Sequence, residues 1–357
     1  MPTCTANGRL LSTGLLLFAM ATATVPAQTV SQQDPMEQAR SLVASHQLEK
    51  ANELLSATVA AHPEDVAAWI ALGKIQMDQR LYDDAMRSYE AALKIQPASG
   101  AAQDGEVHAA VSNALSYRGA GDQDGALRTL LQARKYVPNS PELLKDFGVQ
   151  ADSMRIYKDA DAALTKAHAL APGDPGILYA LAHVEVDEQK APDAEAHLKS
   201  YLQMRPQDAT AHYGLGHLLH MMAREDEAEA EFRRSIALQP RQTESYYELG
   251  EIALDRHQDA AAKAEFERVL EKAPAHGGAL TGMGILALHA KDNALAAKYL
   301  SQAIQYAPDY VTAHRFYAMA LARLGQQEQS RREMAVAEDL SQQQNKLSHG
   351  YMLEEVP

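Results

Sequence analysis

Cysteine is almost absent from this 357-residue chain: Cys4 stands alone, so neither a disulfide framework nor a cysteine-ligated metal cluster holds the fold. Tryptophan also occurs once, and aromatics make up only 6% of the residues. The core must therefore be built from small and aliphatic side chains, as suits close-packed helices rich in alanine. Positive charge is scarce. Lys and Arg total 33 against 47 Asp and Glu, and a net charge of -14 repels a phosphate backbone, which argues against nucleic acid as a partner. Catalytic signatures are missing too, with no H-E-x-x-H, G-x-S-x-G, Walker loop or C-x-x-C-H.

The N-terminus has the layout of a targeting segment. Arg9 precedes an apolar, Leu-rich run from Leu10 to Met20, followed by Thr24-Val25-Pro26-Ala27-Gln28 with small residues at the two positions that precede a cut. Residues 1–27 are expected to be a cleaved signal peptide, leaving a short segment over 28–31. The apolar stretch is too short to cross a bilayer comfortably, so no membrane insertion is expected after cleavage, and an uncleaved anchor is the alternative. Cys4 lies before the apolar run and cannot be a lipoprotein anchor. The mature chain then has no thiol, which suits an oxidising compartment, periplasmic or secreted.

What the chain has in quantity is repetition. Eight of its fifteen prolines, Pro63, Pro97, Pro138, Pro172, Pro206, Pro240, Pro274 and Pro308, are separated by 34, 41, 34, 34, 34, 34 and 34 residues. Proline closes helices because it lacks an N–H and displaces the preceding residue from helical geometry. The period is a structural unit. Small residues keep the same register at Ala39, Gly73, Ala114, Gly148, Ala182, Gly216, Gly250, Gly284 and Ala318, and again from Ala51 and Ala85 through Ala296. Large ones fill a seam at Leu55, Tyr89, Leu130, Leu164, Leu198, Phe232, Phe266 and Leu300. Acidic residues such as Asp83, Asp122, Asp159, Glu225 and Asp292 fall where second helices should start, where carboxylates meet free N–H groups.

This pattern resembles the tetratricopeptide repeat family, most completely over Val66 to Ser99. The resemblance spans residues 32–344 as nine units (32–65, 66–99, 107–140, 141–174, 175–208, 209–242, 243–276, 277–310 and 311–344), with a seven-residue insertion at 100–106 and a tail at 345–357. It implies an all-α, right-handed superhelical solenoid of nine antiparallel helix hairpins whose first helices line a concave groove for peptides or partner helices. The insertion is close to two helical turns and predicts a longer first helix in the third unit, although Gly100 and Gly105 favour a loop. Gly214-Leu215-Gly216 and Gly282-Met283-Gly284 look faintly like phosphate loops, but they fall inside first helices and follow no strand, so they are read as packing positions.

By the same resemblance, certain first-helix positions face the groove. Tyr179, Tyr213 and Tyr247 recur at one of them and His183, His217 and Glu251 four residues on, with His220, Asp187 and Asp255 nearby. The tyrosines, one position away from the seam, are expected to face outward and to carry binding rather than packing. The clamp of chaperone-binding relatives, which needs Asn companions for Lys74, is absent, as is the asparagine ladder of sugar-transferring ones. The reading is a non-catalytic, exported scaffold for a protein or peptide partner, with no cofactor. The alternative is metal or small-molecule binding through His183, His217 and His220.

Overall fold

The structure is a computed structural model that describes residues 34–353, with side chains to residue 344. The leader and the 28–31 segment proposed for the N-terminus lie outside the described residues. Eighteen helices form nine hairpins: α1 (Pro35–Ala44) with α2 (Leu48–Ala61), α3 (Val66–Asp78) with α4 (Tyr82–Ile95), α5 (Gly100–Gly119) with α6 (Gln123–Arg134), α7 (Pro141–Ser153) with α8 (Tyr157–Leu170), α9 (Pro175–Asp187) with α10 (Ala191–Met204), α11 (Ala209–Met221) with α12 (Glu225–Leu238), α13 (Glu244–Asp255) with α14 (Asp259–Lys272), α15 (Gly277–His289) with α16 (Asn293–Tyr306), and α17 (Val311–Arg323) with α18 (Gln327–Leu353). No strand occurs among the described residues. Each helix packs on its hairpin partner and its neighbours along the chain, and the buried apolar residues form successive clusters instead of one centre.

Local chemistry sets the helix ends. Seven of the nine first helices, all but α13 and α17, start at capping side chains: Asp65 accepts from the Ala68 N–H at 3.0 Å, and Asp208 accepts from the Thr210 and Ala211 N–H groups at 3.0 and 3.1 Å. A single left-handed residue makes the turn to each second helix. Only at Gly121 and Gly325 is it glycine; Arg80, Gln189, Ala223 and Lys291 adopt φ near +60° without that freedom. Sequence gave no sign of these turns.

The register read from the sequence is the packing. Ala51, Ala85, Ala126, Ala160, Ala194, Ala228, Ala262 and Ala296 are fully buried, as are Leu55, Leu130, Phe232, Phe266 and Leu300. The small residue of each first helix faces the large residue of its second helix: a Cβ on Gly216 would sit 2.8 Å from the Phe232 ring, and one on Gly250 2.5 Å from that of Phe266. Gly282 abuts the other side of Phe266 and Gly284 faces Leu300, so both glycine-spaced stretches are packing positions inside helices. The closing prolines also have a polar role, since their carbonyls accept from the large residue near the start of the next first helix. Trp69 Nε1 donates to Pro63 at 3.0 Å, His212 Nε2 to Pro206 at 3.1 Å, and His314 Nε2 to Pro308 at 2.9 Å.

The seven extra residues are helical. α5 runs for 20 residues where α3 and α7 have 13, and Gly105 is accommodated because any Cβ there would run into the buried Tyr89 ring of α4. At the other end, α18 continues through Leu353, so residues 345–353 of the segment set apart as a tail extend the last helix.

A ladder of ion pairs joins consecutive hairpins. Lys190, in the α9–α10 turn, reaches Asp161 of α8 at 2.8 Å. Arg224 reaches Glu195 of α10 at 2.6 Å, and Arg256 reaches Glu229 of α12 at 3.1 Å. These partly exposed pairs each contribute modestly, on the order of 0.5 kcal/mol. They also engage Lys190, Arg224 and Arg256.

Candidate functional site

The positions expected to face the groove converge between α9 and α11. A cleft of about 350 Å³ opens there, lined by Tyr179, Ala182, His183, Val186 and Asp187 on one side, Thr210, Tyr213, Gly214, His217 and Leu218 on the other, and Leu198 below. Capping by Asp174 and Asp208 fixes where each helix begins and so holds the two rows in equivalent rotation. Gly214 opens the wall, since a Cβ on it would meet nothing within 4 Å.

Five of the anticipated residues, Tyr179, His183, Asp187, Tyr213 and His217, share this cleft. The tyrosines do not simply face outward. Each is half-buried with its ring against the layer below: Tyr179 is 5.2 Å from Tyr201, Tyr213 5.9 Å from Phe232, and Tyr247 6.2 Å from Phe266 and 5.0 Å from His276. The expectation that packing does not need them is corrected. A six-membered ring at this position reaches past the seam residue to the next large side chain, which one-position offset reasoning overlooks.

Tyr247, Glu251 and Asp255 lie one helix further on, outside the cleft lining. Burial, then the negative charges of Asp255 and Glu248, push the Glu251 carboxyl up to about 7. Burial and Glu251 raise the Tyr247 phenol as well. Burial raises Tyr213, helped by Glu248 and Glu244, which ties the cleft wall to the acidic groups of α13.

The histidine grouping considered for metal is not assembled. His220 Nδ1 pairs with Glu225 at 2.7 Å, His217 packs 6.2 Å from the Tyr213 ring, and His183 Nδ1 lies 2.9 Å from Asp152. The hydrogen bond to Asp152 raises the His183 pKa. Among the described residues, Asp152, His183 and Asp187 are the donors gathered as a metal would require, within 4.8 Å of one another. Asp152 was missed because it comes from α7, one repeat earlier, and no spacing rule on α9 or α11 points to it.

A second hollow, about 580 Å³, was also missed. It lies between α1 and α3, with Met36, Val43, Ile70 and Ile75 as apolar lining and Arg40 and Lys74 beside them. Its signal was available, because Met36 and Ile70 stand in the register of the tyrosines.

Residues 36–100, 247–305 and 281–345 match a tetratricopeptide repeat profile, and residues 185–250 match a second profile of the same description; together they span more than half of the chain. No curated protein matches the chain. Among solved structures, Pseudomonas aeruginosa PilF is similar over 61% of this chain and 99% of its own, at 20% identity and a TM-score of 0.54. PilW, described as a widely conserved type IV pilus biogenesis factor, is similar over 57% of this chain and 94% of its own, at 17% identity and a TM-score of 0.52. These likenesses concern the fold.

Proposed function

Because the chain belongs to the tetratricopeptide repeat family, we propose that it is a non-catalytic scaffold of the cell envelope that holds a peptide or partner helix against its first helices, centred on repeats five to seven. The observation that carries this reading is the cleft between α9 and α11, where Tyr179, His183, Tyr213 and His217 from two consecutive repeats offer aromatic area with polar tips around an open glycine. Similarity to PilF and PilW agrees with an assembly role but is an analogy of fold.

A photo-crosslinking residue placed at Tyr213 tests the reading in cells, with Arg233 on the exposed side of α12 as its control. A discrete adduct from position 213 and none from 233 is expected. Adducts from 233 alone would move the binding face to the second helices.

Export is part of the proposal. It rests on the n-region, apolar run and small-residue cut site of residues 1–27. No helix among the described residues is long and apolar enough to cross a membrane. Protein recovered from the envelope should begin at Gln28 by intact mass; a species that retains Met1 and needs detergent for extraction would favour the tethered alternative.

A second reading follows from the donor set. Asp152, His183 and Asp187 would hold a divalent cation on the cleft rim. Metal analysis with titration calorimetry tests it: one equivalent of zinc lost on His183→Ala would support it, and the absence of binding heat would dismiss it.

A further inference from the structure

The charge pattern around the cleft defines the partner it fits. α9, α11, α13 and α15 contain no lysine or arginine at all. The earlier and later first helices do, at Lys74, Arg118, Lys145 and Arg315. The basic residues of repeats five to seven sit instead in the inter-helix turns and second helices, where Lys190, Arg224 and Arg256 are already held by acidic partners. Carboxylates, by contrast, lie on both sides of the cleft: Asp187 on its α9 wall, and Glu248, Glu251 and Asp255 on α13 beyond Tyr213. Glu248 and Asp255 repel the half-buried Glu251, and no lysine or arginine on these helices relieves them.

The centre of the cleft has the opposite character. Tyr179, Val186, Leu198, Tyr213 and Leu218 make it apolar, and Gly214 leaves the volume of a side chain empty. An occupant that satisfies both features buries one apolar or aromatic side chain over Gly214 and places cations beside the flanking carboxylates. A like-charged segment would add to repulsion already present on α13.

We infer that the α9–α11 cleft and the adjoining α13 face bind a basic segment of a partner protein, in which an aliphatic or aromatic anchor is flanked within a few residues by lysine or arginine. The inference rests on the groove reading above and specifies its ligand. In acid, a protonated Glu251, whose carboxyl titrates at about 7, would weaken the negative field.

The test uses the purified protein against displayed random 12-residue peptides, followed by anisotropy titration of the synthesised consensus. Enriched peptides are expected to pair an apolar anchor with Lys or Arg. Their affinity should fall about ten-fold between low and moderate salt, and by a similar factor in a variant combining Glu248→Gln, Glu251→Gln and Asp255→Asn. Gly214→Phe, which introduces a ring where the structure has open space, should abolish binding while circular dichroism stays unchanged. Gly214→Ala, a milder fill that also favours the helix, should weaken it if the Phe variant does not fold. Enrichment of acidic or uncharged peptides, with binding still lost in Gly214→Phe, would overturn the basic-segment inference and leave the groove reading intact. Basic peptides that bind Gly214→Phe and Gly214→Ala at wild-type affinity would overturn both, as would enrichment of no peptide.

Discussion

The ring of Tyr213 lies 5.9 Å from that of Phe232, tilted by 44°, and Phe232 is fully buried against Gly216 of the same first helix as Tyr213. One residue therefore lines the cleft and covers the seam. Tyr213→Ala should lose roughly 1–3 kcal/mol through exposed Phe232 surface and a lost ring pair, whereas Tyr213→Phe should stay within about 0.5 kcal/mol. Leu215→Ala, which empties a buried site, should cost about 2–5 kcal/mol. Denaturant midpoints decide; a Tyr213→Ala variant as stable as wild type would return the residue to a purely binding role.

Two glycines of α5 make a matched pair. Gly105 has the buried Tyr89 ring where its Cβ would go, while Gly100, at the first helical position, has nothing within 4 Å. Gly105→Ala should destabilise the protein by roughly 1–3 kcal/mol through forced displacement of a ring that has no room to move. Gly100→Ala should stabilise it by about 0.5–1 kcal/mol through the unfolded chain. Thermal melts that shift the same way for both would mean that the α4–α5 contact is looser than described.

Glu106, the last of the seven extra residues, is completely buried beside Glu90, and neither of its carboxyl oxygens has a hydrogen-bond partner. Burial, then the charge of Glu90, pushes its carboxyl from 4.5 up to about 8. The unfolded chain therefore releases this proton near pH 4.5 while the folded protein keeps it. Stability from this group is complete below that pH and falls as pH rises towards about 8, by roughly 5 kcal/mol in all. Glu106→Gln should remove that decline, so its advantage over wild type should grow from pH 5 to pH 8. Parallel stability curves for the two proteins across this range would refute the assignment.

Hairpins that touch only their neighbours should be removable one at a time. Deleting Ala209 to Gln242 takes out one 34-residue period and joins equivalent positions, so a helical protein with a lowered melting temperature is expected. Deleting 17 residues instead joins a first helix to a first helix and should unfold the array. Equal loss of ellipticity in both variants would show that the stack is not quasi-linear.

Much of this architecture is legible in the sequence because it is repetitive. A residue type recurring at one interval in nine units reports its environment many times over, and buried alanines, seam leucines and closing prolines are where the periodicity puts them. The helical state of the insertion was ambiguous, because Gly105 disfavours a helix locally and only the Tyr89 ring explains it. The candidate site was half legible: register alone brought Tyr179, His183, Tyr213 and His217 to one face, but assigned the tyrosines no packing role.

What the sequence by itself determined is the unit: its length, its two helices, its small and large seam positions, and the absence of cations from four consecutive first helices. These follow from local propensity and from a repeat that any nearest-neighbour packing must respect. Only the tertiary structure decided which neighbours meet across repeats: Asp152 with His183, Arg224 with Glu195, Tyr213 with Phe232, and the open space over Gly214. Such contacts depend on how far one hairpin rotates and slides against the next, a small displacement summed over many side chains that no single residue encodes.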